Sequence, residues 1–475
     1  MYRHAERLRL FSAAGITAYL SHALQRTQED ARRLARTGLK NVSLKSRSGD
    51  LKVIRDMRFR QCRAAFRYFL RIIRVVVLFG LWFCIEAKLE AADLPEPWTE
   101  LASDGTLSIR MIVPQGGACP TAIADGIALP MTPPVVSVDD DFQVLVCQAY
   151  ARATTRSATV NGLRVPTVAN LVQRVVVIGD SGCRLEEGDP PQPCNDPFLW
   201  PFATIARFAS NKKPDLVIHV GDYFYREAAC PENHPGCAGS PHRDTWLTWK
   251  LDFFDPAGPL LTTAPWVVVR GNHEVCELGG RGWIRLLDPH PRFRDCVNTT
   301  EPYALTLPGL SLLIFDSSAA DDPAIFRTYS AQLANLMTNV PPHTWLVTHQ
   351  PVWALNQAGS ITTSEQDAIR GHIPSTLDMV LSGHVHDFAS YSFGPERPAQ
   401  LVVGDSGDSL ERQQPPATGV NIDGQNIQKG FALPVAKFGY FLLDRVEGGW
   451  DGTLYGTDDA ILARCRLRER DVECG

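Results

Sequence analysis

Six apolar runs between residues 171 and 384 limit most strongly the folds open to this chain. Each is rich in Val, Ile or Leu and ends in small or polar residues; they are RVVVIGD (174–180), DLVIHVGD (215–222), WVVVRGNH (266–273), SLLIFD (311–316), TWLVTH (344–349) and DMVLSGH (378–384). Short runs of this kind are typical of strands that are buried on both faces. Residues 197–210 and 328–339 have helical spacing between them. This alternation predicts an α/β fold that binds ligands at the carboxyl ends of its strands.

The regions on either side have a different pattern. Residues 93–170 contain short β-rich runs separated by Pro and Gly, among them VVSV (135–138) and FQVLVCQAYA (142–151), and predict a small all-β domain. Residues 171–460 are the expected catalytic domain. Residues 461–475 would form a C-terminal tail closed by a disulfide.

Residues 1–92 have the pattern of a basic leader and signal sequence. Residues 1–74 hold 18 Lys and Arg against 5 Asp and Glu, and residues 75–85 form an uncharged apolar run. A basic stretch followed by about 7–15 apolar residues indicates a secretory signal, and such a run is too short to span a bilayer. We therefore expect a secreted or periplasmic protein whose true start is Met57. A retained signal anchor is the alternative.

The remainder of the chain is acidic, with 29 Lys and Arg against 47 Asp and Glu. This charge argues against an extended nucleic-acid surface, because such a surface needs clustered cations that displace counterions from phosphates. Membrane contact is expected only through the leader, if the leader stays uncleaved.

The cysteines indicate an oxidising compartment. Removing the leader takes away Cys62 and Cys84 and leaves ten, an even number. Heavy use of cysteine is typical of compartments in which disulfides persist. A zinc site is the alternative, but the chain has no CxxC pair to support it. The simplest pairing joins neighbours along the chain: Cys119 with Cys147, Cys183 with Cys194, Cys230 with Cys237, Cys276 with Cys296, and Cys465 with Cys474.

Five strand ends carry candidate metal ligands. They are GDSG (179–182), GDYFY (221–225), GNHE (271–274), VTH (347–349) and GHVH (383–386). Asp, Asn, Tyr and His offer oxygen and nitrogen donors that suit iron, zinc or manganese. The glycines before Asp180, Asp222, Asn272 and His384 are expected to let the backbone turn sharply at the top of the sheet. One such string arises often by chance, whereas five in series indicate a metal centre.

The series resembles the calcineurin-like metallophosphoesterase superfamily, whose sequence blocks end in D, GD, GNH, H and GHxH. Its first two blocks are most similar to the purple acid phosphatase branch, in which the opening motif is DxG and a tyrosine follows the second aspartate by three residues. Asp180-Ser181-Gly182 and Asp222 with Tyr225 fit that pattern. The resemblance implies a four-layer αββα sandwich over the catalytic region.

The same resemblance implies two metal ions bridged by Asp222. The first would be ferric, and the second would be divalent zinc, iron or manganese. The other ligands would be Asp180, Tyr225 and His386 for the first ion, and Asn272, His349 and His384 for the second. His273 matches the position of the family's proton donor, and Glu274 would lie behind it and orient the ligands.

Several assignments have simpler alternatives. Tyr225 competes with Tyr223 for the role of ligand, and a tyrosine at a strand end is more often a core or rim aromatic. His219 lies inside an apolar strand and is expected to be a core histidine. Arg226 and Arg270 lie beside metal motifs, where each would bind phosphate or pair with a nearby acid.

The predicted activity is hydrolysis of small phosphate monoesters through a metal-bridging hydroxide, as in an acid phosphatase. The alternatives are a phosphodiesterase on the same site and a non-catalytic, metal-stabilised binding protein of the cell envelope. The string GDSG at 404–407 resembles the nucleophile region of trypsin-like proteases, but it continues as GDSGDS and lacks their second glycine. We interpret it as a turn of small residues facing the metals.

Overall fold

The computed structural model describes residues 94–133, 139–290, 296–411 and 417–475. The leader with Met57, Cys62 and Cys84, and the predicted strand at 135–138, lie outside the described residues. Within the part that is described, no helix has the length and apolar character needed to cross a membrane.

Strands dominate the described chain, and α-helices lie between the central ones. The first strands are β1 (Trp98–Leu101), β2 (Leu107–Pro114), β3 (Thr121–Ala124), β4 (Ile127–Pro130), β5 (Val144–Ala151), β6 (Ala158–Val160) and β7 (Leu163–Val165). The central strands are β8 (Arg174–Ile178), β9 (Leu216–His219), β10 (Trp266–Val268), β11 (Tyr303–Leu307), β12 (Leu310–Ile314), β13 (Thr344–Val347), β14 (Leu355–Asn356), β15 (Gly359–Ser360) and β16 (Leu377–Ser382). The last are β17 (Phe388–Ser392), β18 (Ala399–Val403), β19 (Asn421–Ile422), β20 (Gln425–Asn426), β21 (Lys429–Ala432), β22 (Gly439–Val446), β23 (Gly449–Gly456), β24 (Ile461–Arg468) and β25 (Asp471–Cys474). The α-helices are α1 (Phe202–Asn211), α2 (Trp246–Trp249), α3 (Asp255–Leu261), α4 (Gly280–Leu286), α5 (Phe326–Leu336) and α6 (Ser364–Ile369), and a π-helical turn (Lys250–Phe254) joins α2 to α3.

Two large sheets carry the predicted strands. The first has ten strands in the order β25-β24-β23-β22-β8-β9-β10-β1-β2-β5, and its strands β8, β9, β10 and β1 are parallel. The second has seven strands in the order β11-β12-β13-β16-β18-β17-β21, and its strands β12, β13, β16 and β18 are parallel. The carboxyl ends of parallel strands share one edge of a sheet, so the predicted ligands of each sheet lie at the same edge.

Alternate residues of the central strands face opposite sides. In β8, Val175 and Val177 lie in the core between the two sheets, whereas Val176 packs in the core beneath α1, α3 and α4. In β13, Val347 faces the second sheet's inner side, and Leu346 packs with α5 and α6. Because successive side chains of a strand point to opposite faces, both faces of each sheet are covered. The four-layer αββα sandwich and the α/β fold class are confirmed.

Helix α1 is shorter than the predicted span of 197–210, since it begins only at Phe202. The cause is Pro201, because the residue before a proline is disfavoured in the α conformation. Trp200 therefore cannot extend the helix toward its amino end. Helix α5 lies close to the predicted 328–339 and ends at Leu336.

Residues 93–170 do not all form a separate sheet. Strands β1, β2 and β5 extend the ten-stranded sheet, and β1 joins it by pairing with β10 at Glu100 and Trp266. The other four strands form a small sheet in the order β4-β3-β6-β7. The predicted domain boundary at residue 170 therefore lies within one sheet. The change in sequence pattern at that residue reflects a switch from antiparallel to parallel strand pairing. Residues 461–475 likewise form β24 and β25 at the sheet's other edge.

A buried ion pair fastens β1 and β2 to the chain that follows the GNHE motif. Arg110 lies 3.1 Å from Glu100, and both side chains are almost fully buried. Arg110 also donates hydrogen bonds to the carbonyls of Leu286 and Asp288 at 3.1 and 2.6 Å. Burial raises the pKa of Glu100 to about 7, although Arg110 acts against it. The arginine therefore connects the added strands to the end of α4.

We expect Arg110→Met to destabilise the protein by about 3 kcal/mol, because it leaves a buried carboxyl group and two carbonyls without their partner. Denaturant unfolding measures the change. Arg152→Met is the matched control, since Arg152 is exposed and its loss should cost little. Equal stability of the two variants would contradict a structural role for the ion pair.

Candidate metal centre

The predicted ligands meet at the carboxyl ends of strands from both sheets. Asp180 follows β8, and Asp222 and Asn272 follow β9 and β10 of the ten-stranded sheet. His349 follows β13, and His384 follows β16 in the second sheet. At this end of the two sheets, oxygen and nitrogen donors from both sheets therefore lie close together.

One half of the group gathers around the hydroxyl of Tyr225. That hydroxyl lies 2.8 Å from Asp222 Oδ2, 3.2 Å from Asp180 Oδ1 and 3.0 Å from His386 Nε2. Ligand atoms of Asp180, Asp222 and His386 all lie within 4.8 Å of one another. Tyr223 points elsewhere, because its hydroxyl donates to the carbonyl of His219. Of the two tyrosines, Tyr225 therefore has the position of a ligand.

The other half gathers around the amide oxygen of Asn272. This oxygen lies 2.9 Å from His349 Nε2 and 2.9 Å from His384 Nδ1. His349 Nε2 is also 3.0 Å from Asp222 Oδ2. Asp222 belongs to both halves, as a bridging ligand must. The donor set of carboxylates, imidazoles, an amide and a phenol fits two hard or borderline cations.

The electrostatics of the group follow from burial and close packing. Burial alone would raise the pKa of Asp222, but His349 and His273 hold it well below its ordinary value. Burial and the neighbouring His349 lower the pKa of His384 to about 3, so this imidazole is neutral. A neutral imidazole keeps the free electron pair that metal binding requires.

Three ligands hold left-handed backbone conformations. Asp180, Asp222 and His384 have φ angles of 53°, 58° and 69°, which non-glycine residues rarely adopt. Such strain concentrates at functional sites, where the surrounding structure enforces it. The sequence placed the sharp turns at the preceding glycines, but of these only Gly221 has a positive φ, at 108°.

The glycines instead give room for close approach. A Cβ at Gly271 would lie 1.9 Å from Asp222 Oδ1, and one at Gly383 would lie 2.3 Å from Asp180 Oδ2. The ligands of neighbouring loops can therefore converge only because these positions carry no side chain.

His273 lies beside the Asp222 carboxylate and is held by a second acid. Its Nδ1 lies 2.5 Å from Glu227 Oε1, and its Nε2 lies 4.0 Å from Asp222 Oδ2. Burial lowers the pKa of His273, but Asp222 and Glu227 outweigh burial and raise it to about 10. The ring therefore carries a proton at neutral pH. Sequence reasoning missed Glu227, whose only signal was an acid two residues after Tyr225.

Glu274 holds two ligand loops together. Its carboxylate accepts hydrogen bonds from the backbone N–H groups of Gly271, Asp222, Tyr223 and Phe224 at 2.8–3.1 Å. Glu274 is fully buried. It thus lies behind the donors, where the resemblance to the superfamily places it.

Arg226 and Arg270 both pair with groups of the surrounding protein. Arg226 is buried and donates to Asp252 at 2.5 Å. Arg270 is buried too and donates to the carbonyl of Glu274 at 2.8 Å, with Asp316 at 3.6 Å. Of the two roles considered from the sequence, the observed contacts favour pairing with protein groups. His219 is a buried neighbour of Ser181, as predicted for a core histidine.

Asp252 supports the loops on which two ligands lie. It is fully buried in the π-helical turn and accepts hydrogen bonds from the backbone of Cys183 and Tyr225 at 3.2 and 2.9 Å. π-Helical turns are frequent at functional sites. No local pattern in the sequence marked this residue.

The described residues contain five disulfides, which join neighbours along the chain as the simplest pairing predicted. They are Cys119–Cys147, Cys183–Cys194, Cys230–Cys237, Cys276–Cys296 and Cys465–Cys474. Three of them begin directly after a ligand motif. Their number indicates an oxidising environment.

The donors open into a cavity of about 390 Å³. Asp222, Asn272, His273, His384 and His386 form its floor, and its walls include Arg184, Glu186, Gln357, Ser409, Leu410 and Glu411. Arg184 is another residue that sequence reasoning missed, because only the fold brings it beside the GHVH motif. A cavity of this size admits a small molecule.

Comparisons with known proteins agree with this arrangement. Residues 173–388, which include all five ligand motifs, match the family model described as calcineurin-like phosphoesterase. This match confirms the resemblance that the motifs indicated. The family is one of phosphoric ester hydrolases. No curated protein sequence gives a match.

Solved structures share the fold at low sequence identity. A purple acid phosphatase, PPD1 from yellow lupin (Lupinus luteus) seeds, is 14% identical with a TM-score of 0.51, over 80% of this chain and 74% of that chain. A structure of PhoD is 12% identical with a TM-score of 0.44, over 80% of this chain and 91% of that chain. The lupin protein shows that the fold is shared.

We expect Gly271→Ala to displace Asp222 and to reduce metal content, because a Cβ would overlap its carboxylate; overpacking of this kind costs about 1–3 kcal/mol. Metal analysis and thermal unfolding measure the two effects. Gly258→Ala is the control, since that glycine lies in α3 with open space around its Cβ position. Full metal occupancy in Gly271→Ala would contradict the close-approach argument.

Proposed function

We propose that this chain is an exported, dinuclear-metal phosphomonoesterase of the acid-phosphatase type. The observation that carries the proposal is the convergence of seven predicted ligands into one group, four of which line an open cavity together with His273. A binding protein would need the ligands, but it would have no need of a protonated histidine beside them.

The donor chemistry supports two different ions. The phenol of Tyr225 with two carboxylates favours a ferric ion in one half of the centre. The amide and two imidazoles of the other half suit divalent zinc, iron or manganese. Two such cations would activate water and neutralise the charge of a phosphoryl group. The protein's own residues then have to bind and orient the substrate and protonate the leaving group.

In this proposal His273 protonates the leaving group. Its Nδ1 is fixed by Glu227, and its Nε2 faces the cavity near Asp222. A fixed imidazolium can donate the proton that a departing alkoxide needs, which contributes about 10²–10⁴-fold to a rate. Glu227 is the positioning residue of this pair.

Monoesters are the favoured substrates because the DxG motif and Tyr225 follow the purple acid phosphatase pattern, and because a purple acid phosphatase shares the fold. Export is favoured by the disulfides together with the basic and apolar leader in the sequence. The expected substrate is a small phosphate ester in an oxidising compartment.

We expect the full-length protein to release nitrophenol from nitrophenyl phosphate and Asp222→Asn to abolish this release, because the bridging carboxylate is lost. The bis-nitrophenyl ester, assayed beside it, reports diesterase activity. Asp140→Asn is the control, since Asp140 is exposed and outside the cavity. Preference for the diester would replace the monoesterase proposal, and activity that survives in Asp222→Asn would refute the proposed centre.

We expect His273→Asn to reduce kcat/KM for an alkyl phosphate by about 10²–10⁴-fold and to affect nitrophenyl phosphate much less. An alkoxide leaves poorly without a proton, whereas nitrophenolate leaves readily. Steady-state kinetics on both esters measure the difference, with His372→Asn as the control because His372 is exposed. Equal losses on the two esters would exclude a proton-donating role.

A further inference from the structure

The loop GDSGDS (404–409) packs against the first ligand motif. The backbone N–H of Ser406 donates to the carbonyl of Gly179 at 3.2 Å, and that of Asp408 donates to the carbonyl of Asp180 at 2.8 Å. A Cβ at Gly407 would lie 2.1 Å from the carbonyl oxygen of Ser181. The second aspartate of the loop is thereby carried to the metal centre with its side chain fully buried.

The Asp408 carboxylate is held by a forked contact from Arg184. Oδ2 accepts from Nε at 3.0 Å and from Nη2 at 2.5 Å. Paired N–H donors of this kind bind a carboxylate in a fixed orientation. The positive charge of Arg184 offsets the cost of burying the carboxylate, which would be large for an unpaired ion.

The same carboxylate oxygen fixes the ring of His386. Oδ2 lies 3.1 Å from His386 Nδ1, and the carbonyl of Ser409 lies 3.0 Å from the same nitrogen. Arg184 Nη2, a donor that already binds Asp408 Oδ2, also lies 3.1 Å from Nδ1. Because the two acceptors are no farther away than this donor, we assign the ring proton to Nδ1. Nε2 is then left with its electron pair, directed toward Asp180 and Tyr225.

Arg184 acts on a second residue of this half. Its guanidinium lies 5.7 Å from the ring centroid of Tyr225. On its outer side, Nη1 meets Asp189 at 3.1 Å, and that carboxylate is 46% exposed. Arg184 therefore contacts a surface acid, Asp189, and a buried acid, Asp408, and its guanidinium also lies over the ring of Tyr225.

The other half of the centre is held differently. His349 Nδ1 lies 2.8 Å from the backbone carbonyl of Val220, and its Nε2 faces Asn272. Each predicted histidine ligand has one ring nitrogen that faces away from the metal site. Among the contacts of the described residues, a carboxylate lies beside that nitrogen only at His386. Carboxylates that orient a ligand histidine also raise its basicity, and their loss typically costs about 10–100-fold in metal affinity or activity.

We propose that Asp408, held by Arg184, is a positioning residue for the metal ion at Asp180, Tyr225 and His386. It fixes His386 with Nε2 toward the ion and thereby raises the affinity of this half of the centre for its metal. The inference rests on the metal centre of the proposed function and adds a role for the GDSGDS loop.

The test is stepwise metal removal by a chelator from the full-length protein, followed by metal analysis of each fraction. In Asp408→Asn we expect one of the two ions to bind about 10–100-fold more weakly and the other to be unchanged. Asp189→Asn is the matched control: it contacts the same arginine from the outside and should leave both affinities as they are. Unchanged affinities in Asp408→Asn, or equal weakening of both ions, would overturn the proposal.

Two further variants separate positioning from folding. Arg184→Met should weaken the binding of the same ion as Asp408→Asn does, because the Asp408 carboxylate loses the two N–H donors that orient it. In the background of His386→Ala, Asp408→Asn should have no additional effect, since the two residues act as one unit. Additive losses would instead show that Asp408 acts without His386 and would refute the role.

The outcome also distinguishes this inference from the proposed function. If the wild-type protein binds two ions but hydrolyses neither ester, the proposed phosphoesterase activity is refuted. The role of Asp408 is then still decided by the metal affinities of the Asp408→Asn variant. A wild-type protein that binds no ion refutes both.

Discussion

The carboxylate of Glu274 is the interaction on which the centre most depends. Four backbone N–H groups, from the loop after β9 and the loop after β10, donate to one buried side chain. The two loops carry Asp222 and Asn272, so a single acid sets the distance between the predicted bridging ligand and a predicted ligand of the second ion. The missing side chain of Gly271 then allows that distance to be short. Left-handed backbone at Asp222 completes the arrangement, and the strain is tolerated because these hydrogen bonds enforce it.

The sequence predicted those features of the fold and the site that depend on hydrophobic periodicity and on the residues at strand ends. Buried strands such as β8 and β9 and the α/β class follow from local patterns, whereas the sequential disulfide pairing is only the simplest of the pairings that the sequence allows. The meeting of Asp180 with Asp222 at one edge of the first sheet and that of His349 with His384 at one edge of the second also follow from local patterns, because the carboxyl ends of parallel strands lie together. The roles of the glycines were misjudged, since a short string does not distinguish a turn from a close approach.

Long-range contacts escaped sequence reasoning for a physical reason. Glu227, Asp252 and Asp408 owe their roles to residues far along the chain, and the local sequence around an acid does not show its partner. The joining of β1 to β10 likewise depends on a pairing between distant segments. Arg226 and Arg270 illustrate the reverse case: closeness in sequence to a ligand motif does not place a side chain in the cavity.

The division of the ligands between the two sheets has a thermodynamic consequence. Asp180, Asp222, Tyr225 and Asn272 belong to loops of the ten-stranded sheet, whereas His349, His384 and His386 belong to loops of the other. Cations held among them would cross-link the two halves of the sandwich at one end, as a disulfide cross-links two strands. Whatever binds only the folded chain shifts the unfolding equilibrium toward it. Metal supply in the compartment would then set how long the protein survives there, as well as how fast it works.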